Sequence, residues 1–156
     1  MNKLKLLTLA VLTSVGMSGA ALANTINADF STNLQSYCTI GQTSPGIMNL
    51  DGKALTTDTP AQLVVNNNDA GVYQVSINAP ADFTNKPNSY AGTTSFTSAF
   101  GLQGQNPTDN PVANGATHAL ANSGTDNMSV SLFGTSTTDF TAGNYSAVVV
   151  ASCVAQ

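Results

Sequence analysis

The sequence predicts an all-β chain, an antiparallel β-sandwich of about seven short strands, and three observations carry that expectation. Apolar side chains recur at every second position in several short stretches. Clusters of Gly, Pro, Asn and Asp separate those stretches at spacings of about ten residues. Past the first 23 residues there is no helical periodicity of useful length and no internal repeat. Charged residues make up 8% of the chain, with no Arg, Glu or Trp, so the Glu, Lys and Arg that stabilise exposed helices are scarce.

Taken in order, Met1 to Ala23 reads as a secretory signal peptide of bacterial style. Lys3 and Lys5 supply a basic start, Leu6 to Val15 a short apolar stretch, and Ala21-Leu22-Ala23 a cleavage site of small residues. Thr8, Thr13 and Ser14 interrupt the apolar stretch, which is too short for a membrane span, and no second span follows. The 133 residues from Asn24 to Gln156 fit one exported domain. Within them Lys53 and Lys86 stand against eight aspartates, a net charge of −6. A surface of that sign has no basic patch to release counterions from nucleic acid, so nucleic-acid binding is not expected.

The longest alternation runs from Ile26 to Ile40. Ile26, Ala28, Phe30, Leu34, Cys38 and Ile40 share one parity, and Asn27, Asp29, Asn33, Gln35 and Thr39 the other. Successive side chains of a strand point to opposite faces, so this predicts one or two strands with an apolar even face. At the far end Tyr145, Ala147, Val149, Ala151 and Cys153 share a parity in a closing strand that begins at Tyr145. Cys38 and Cys153 are the only cysteines. In an exported chain, two cysteines are most simply one disulfide, here joining the first and last strands.

Between them, Ile47 to Leu50 is a short apolar piece before the turn Asp51-Gly52, and Lys53 to Thr59 is polar and β-branched, with Pro60 marking an edge. Gln62 to Asn66 and Val72 to Asn78 read as a hairpin across Asn67 to Gly71. Pro80 and Pro87 bracket a loop, and Phe96 to Leu102 alternates as a strand. Gln105 to Gly115 reads as a long surface loop, Ala116 to Ala121 as a strand, Asn122 to Asp126 as a turn, and Met128 to Phe133 as a strand.

No constellation of catalytic residues emerges, and an enzyme is not expected. His118 is the only histidine and no nucleophile-elbow pattern accompanies it. The eight aspartates read as turn formers rather than paired acids. Asn67, Asn68 and Asp69, or Asp109 and Asn110, could offer oxygens to calcium, but the EF-hand loop pattern is absent, and neither a metal nor another cofactor is expected. Asn127-Met128-Ser129 and Asn144-Tyr145-Ser146 match the glycosylation sequon, a pattern common by chance.

The two ends of the chain carry a resemblance. An alternating leader into Ser36-Tyr37-Cys38-Thr39-Ile40, with a late Ala142-Gly143-Asn144-Tyr145-Ser146-Ala147-Val148-Val149-Val150, resembles subunits of chaperone–usher fimbriae, including the archaic group related to spore coat U domains. The resemblance implies an immunoglobulin-like sandwich that lacks its final strand and is completed by a donor strand. That strand comes from the next subunit, or before assembly from a periplasmic chaperone. It implies Asn24 to Leu34 as the donor, with Ile26, Ala28, Phe30 and Leu34 entering the neighbour's groove, and residues 35–156 as the sandwich. The strand after Cys38 and the segment Tyr145 to Val154, with Tyr145, Ala147 and Val149, would border the acceptor groove. Implied partners are further copies of the chain in a homopolymer, a periplasmic chaperone and an outer-membrane usher. The implied place is the cell surface of a Gram-negative bacterium, in adhesion or biofilm formation. The family's usual second cysteine lies in an early strand, near where Leu63 to Val65 stand here, so Cys153 departs from the pattern. The competing reading is a self-contained secreted sandwich that binds a carbohydrate, a surface partner or an ion, with Ile26 to Leu34 pairing inside its own domain.

Overall fold

Two kinks set the shape of the larger sheet. The computed structural model describes residues 28–156, so the segment read as a signal peptide and Ile26 lie outside the described residues. The chain divides into two units, residues 1–33 and 34–156. Residues 28–33, the described part of the first, are exposed and form no strand. In the second unit β1 (Cys38–Ser44) and β2 (Ile47–Asp51) are separated by Pro45-Gly46. β3 (Ala54–Thr59) and β4 (Ala61–Asn67) are separated by Pro60. β1 pairs with β4 and β2 with β3, so two kinked lines run antiparallel, turning at Asp51-Gly52 where Gly52 takes a φ of 54°. The kinks nest because Gly46 has no side chain: a Cβ there would stand 2.9 Å from the Ala61 amide nitrogen.

β5 (Tyr73–Asn78) follows, then β6 (Thr94–Gly104), β7 (Val112–Ala113), β8 (Thr117–Ala119), β9 (Gly124–Ser136) and β10 (Val150–Ala155). β9 is the spine of the larger sheet. The whole length of β6 pairs with it, from Thr94↔Ser136 to Gly104↔Asp126. Its opposite edge pairs first with β4, from Asn67↔Gly124 to Ala61↔Val130, and then with β3 at Leu55↔Gly134 and Ala54↔Thr135. Where the kink at Pro60 interrupts that edge, the Thr57 hydroxyl stands in for a rung: it accepts from the Leu132 N–H and donates to the Leu132 carbonyl, both at 2.7 Å. The smaller sheet has the order β10-β5-β8.

The molecule is an all-β antiparallel sandwich with no helix among the described residues. If each kinked line is counted as one strand, the larger sheet runs β1/β2, β3/β4, β9, β6. That matches the A-B-E-D order of an immunoglobulin sandwich, with β5 and β10 placed as C and F. Ten strands form among the described residues where about seven were expected: six strand lines, two of them split by the kinks, with β7 and β8 as short additions.

The core lies between the sheets in two patches. Around the disulfide it is mainly aliphatic, with Val65, Val75, Ile77, Leu102, Leu120 and Met128 packed beside the buried ring of Phe100. Toward Pro60 it is aromatic: Phe83 sits edge-on to Tyr90, Phe96, Phe140 and Tyr145, with ring centroids 4.9–6.1 Å away. The Tyr90 hydroxyl, buried there, bonds to Thr94 at 2.7 Å and to Ser136 at 2.6 Å.

Several sequence expectations are corrected. Gln62–Asn66 and Val72–Asn78 are not a hairpin: β4 and β5 belong to different sheets, and the turn residues between them carry the chain across the sandwich. The long alternation becomes a strand only at Cys38, and the closing strand only at Val150. Asp58 and Asp126 lie in β3 and β9 rather than in turns. Asp126 is 1% exposed and its carboxylate accepts from the Asn106 backbone and side-chain N–H groups, both at 2.7 Å. Asn106 is thus a buried partner within the stretch expected to be a surface loop. Asn122 to Asp126 is only partly a turn, since β9 starts at Gly124.

Candidate functional site

The feature that stands out is an open groove of 380 Å³ along one side of the sandwich. Its walls are two strand lines with unsatisfied outer edges. On one side, β1 and β2 pair, among the described residues, only with β4 and β3, and the groove follows them from Gln42 through Pro45-Gly46 to Met48. On the other side runs the segment Tyr145 to Ala151. β10 pairs with β5 from Val150 onward, and no other described strand pairs with its second edge. The floor is Leu63, Val130 and Leu132, with Thr57 and Ala61 at the kink. Among the described residues no charged side chain lines it. A chain lying there would meet main-chain donors and acceptors at its sides and apolar surface beneath, which is the physical requirement for strand addition.

The wall segment keeps strand alternation without a ladder. Tyr145, Ala147 and Val149 are half-buried and turned to the core, while Ser146 and Val148 are exposed. One bridge, Asn85↔Ser146, holds it on the side away from the groove: the Ser146 N–H donates to the Asn85 carbonyl at 2.9 Å, and the Thr84 N–H to the Ser146 carbonyl at 2.8 Å. The Tyr145 ring is anchored in the aromatic patch and its hydroxyl donates to the Thr141 carbonyl at 3.0 Å. Among the described residues Ala147, Val148 and Val149 have no ladder partner. Val148 and Val150 point to solvent at 56% and 55% exposure, a conspicuous display of β-branched apolar surface beside an unpaired edge.

At the opposite end of the groove the walls meet. Cys38 at the start of β1 and Cys153 in β10 form a disulfide with Cα atoms 6.1 Å apart, as expected from the sequence. The groove therefore opens away from a covalent hinge between edge strands of the two sheets. Of the residues expected to act as a donor, Phe30 and Leu34 are exposed at 94% and 76%, and Ala28 is exposed.

Other candidates resolve into local roles. Asn67 donates to the Asn122 carbonyl and accepts from the Asp69 N–H, and Asn68 bonds to the backbone of residues 35 and 37, so those side chains are engaged within the protein. Among the described residues no group of three or more His, Cys, Asp or Glu side chains able to hold a metal ion occurs. His118 sits in β8 opposite Val75, half-buried. Asp109 and Asn110 overhang a shallow hollow on the outer face of β6 and β9, beside Phe133. Sequence reasoning missed the groove floor: Leu63, Val130 and Leu132 read as apolar strand residues, but nothing local tells that a neighbouring strand is absent above them. It also missed Thr57, whose role depends on Leu132, 75 residues away.

Among the described residues no helix is long and apolar enough to cross a membrane. No family model, no curated protein and no solved structure matches the chain.

Proposed function

We propose that the chain is an exported structural subunit of a surface fimbria or filament, assembled by β-strand addition. In this reading residues 24–34 of one copy enter the groove beside β10 of the next, and Ile26, Ala28 and Phe30, two residues apart, turn their side chains toward the floor. The observation that carries it is the groove itself: an uncharged apolar floor between two unpaired strand edges. The exposed, alternating apolar side chains of Phe30 and Leu34 support it from the other side of the contact. So does the resemblance of both chain ends to chaperone–usher subunits. Before assembly such a groove needs cover, because an exposed edge with apolar surface beside it invites indiscriminate pairing; a periplasmic chaperone that lends a strand, and an usher that exchanges it, are the partners this implies. Adhesion or biofilm formation follows as the role of the filament.

The test is to express residues 24–156 in an oxidising compartment, with and without residues 24–34, and to run both unheated in mild detergent. The full mature chain should give a ladder of polymers, and the truncated chain should give folded monomer of unchanged strand content. Monomer from both, with the full chain more stable than the truncated one, would instead mean that the segment completes its own domain.

A further inference from the structure

The residues that join the leading segment to β1 are held by a built clamp that the strand-addition reading does not require. β1 and β4 remain in register as far as Cys38↔Asn67, and one more main-chain bond follows, from the Asn68 N–H to the Tyr37 carbonyl at 3.3 Å. Beyond that point β4 has ended, and the Asn68 carboxamide takes over as a substitute peptide group. Its Oδ1 accepts from the Tyr37 N–H at 2.7 Å and its Nδ2 donates to the Gln35 carbonyl at 2.8 Å. A carboxamide has one acceptor and two donors in the geometry of a backbone amide, so it can extend a ladder past the end of a strand. The Tyr73 hydroxyl adds a bond to Ser36 Oγ at 2.7 Å. Gln35 to Tyr37 thus continue the line of β1 outward, away from the groove, which lies beside the other end of β1.

Chain length alone does not keep a subunit from filling its own groove. Eleven residues, 24–34, extend about 36 Å at roughly 3.3 Å each, more than the run of β1. Self-insertion needs a reversal before Cys38, and the residues that would form that turn are Gln35 to Tyr37, which the clamp ties to Asn68 and Tyr73. The disulfide adds a second obstacle. A strand seated between two others needs about 9.5 Å between their axes, whereas Cys38 and Cys153 are 6.1 Å apart.

We propose that Asn68, assisted by Tyr73, is a positioning residue that directs the leading segment outward to a second copy of this chain and suppresses self-closure. This rests on the strand-addition reading and names what keeps that reaction between molecules. The mature chain and its Asn68→Ala variant are compared in an oxidising compartment by two readouts: ladder yield, and protease protection of residues 24–34 in the monomer fraction. The variant should show a roughly fivefold to tenfold rise in protected monomer relative to polymer, the bias that one or two lost hydrogen bonds represent. Asn68→Asp, which keeps the acceptor for Tyr37 and loses the donor for Gln35, should fall between. Tyr73→Phe removes only the Ser36 bond and gives a smaller shift in the same direction, so the idea remains testable if Asn68→Ala fails to fold. Equal ladders from parent and variants overturn the clamp alone, as does variant monomer whose leading segment stays protease-sensitive. No ladder from the parent overturns strand addition, and the steering role with it.

Discussion

The two halves of the closing segment, Tyr145–Val149 and Val150–Ala155, share one alternation and differ in what lies beside them. From Val150 onward every residue is paired with β5, and Cys153 is bonded to β1. Before Val150 the same pattern of inward and outward side chains is held by one bridge at Ser146 and by the Tyr145 ring. Alternation fixes which face is buried; a neighbouring strand decides whether the backbone is satisfied. The first half is therefore the wall of a groove and the second half is part of a finished sheet.

The largest break in this contrast should come from the closed end. Replacing both cysteines, Cys38→Ser with Cys153→Ser, opens a loop of 115 residues, and chain entropy puts the loss at about 4–5 kcal/mol. Urea unfolding of the oxidised protein against the double variant measures it. A loss near zero would mean that packing alone holds β1 to β10, and the contrast between the ends would disappear. A smaller effect is expected at the open end from Thr57→Val. The hydroxyl satisfies both main-chain groups of Leu132, so its removal should lower stability by about 1–3 kcal/mol, while Thr57→Ser stays close to the parent in the same urea series. The smallest effect concerns Asp82, on the loop that supports Ser146. Its carboxylate accepts from Lys86 Nζ at 2.7 Å and from the Phe83 N–H, and these bonds, that of Lys86 foremost, hold its pKa below the ordinary 3.8. A lowered folded-state pKa means that the contribution is present above the ordinary value and fades as pH falls through the folded one. Lys86→Met should therefore leave a slight deficit in thermal stability at neutral pH that begins to fade as pH drops below about 4 and is gone once Asp82 is protonated in the folded protein. A deficit that grew in acid would reverse the sign of this reasoning.

Much of the fold was legible in the residues themselves. Alternation identified β6, the middle of β9 and the inward parity of residues 145–153, apolar runs beside a turn-rich stretch identified β4 and β5, and two cysteines in an exported chain identified the disulfide. What escaped was non-local. Asn67 to Gly71 has the composition of a hairpin turn, yet composition does not say which sheet the next strand joins, and β5 crosses over. Asp126 looks like a turn residue until Asn106, 20 positions away, satisfies its carboxylate in the interior. The leading alternation of residues 26–37 has the pattern of a strand but no described partner strand, so periodicity placed it in a sheet that only β1 enters. Tyr145, Ala147 and Val149, which the resemblance implies as borders of an acceptor groove, do line the groove; its floor depended on the kink at Pro60 and on what β9 pairs with on either side.

The bond between Cys38 and Cys153 also has a mechanical meaning. If tension entered a subunit through its leading segment and left through a strand lying against β10, it would pass from residue 37 into Cys38 and across the sulfurs to β10. The residues between the two cysteines would lie off that path, and the stretch of such an assembly would be limited by the seams between molecules rather than by unravelling within any one of them.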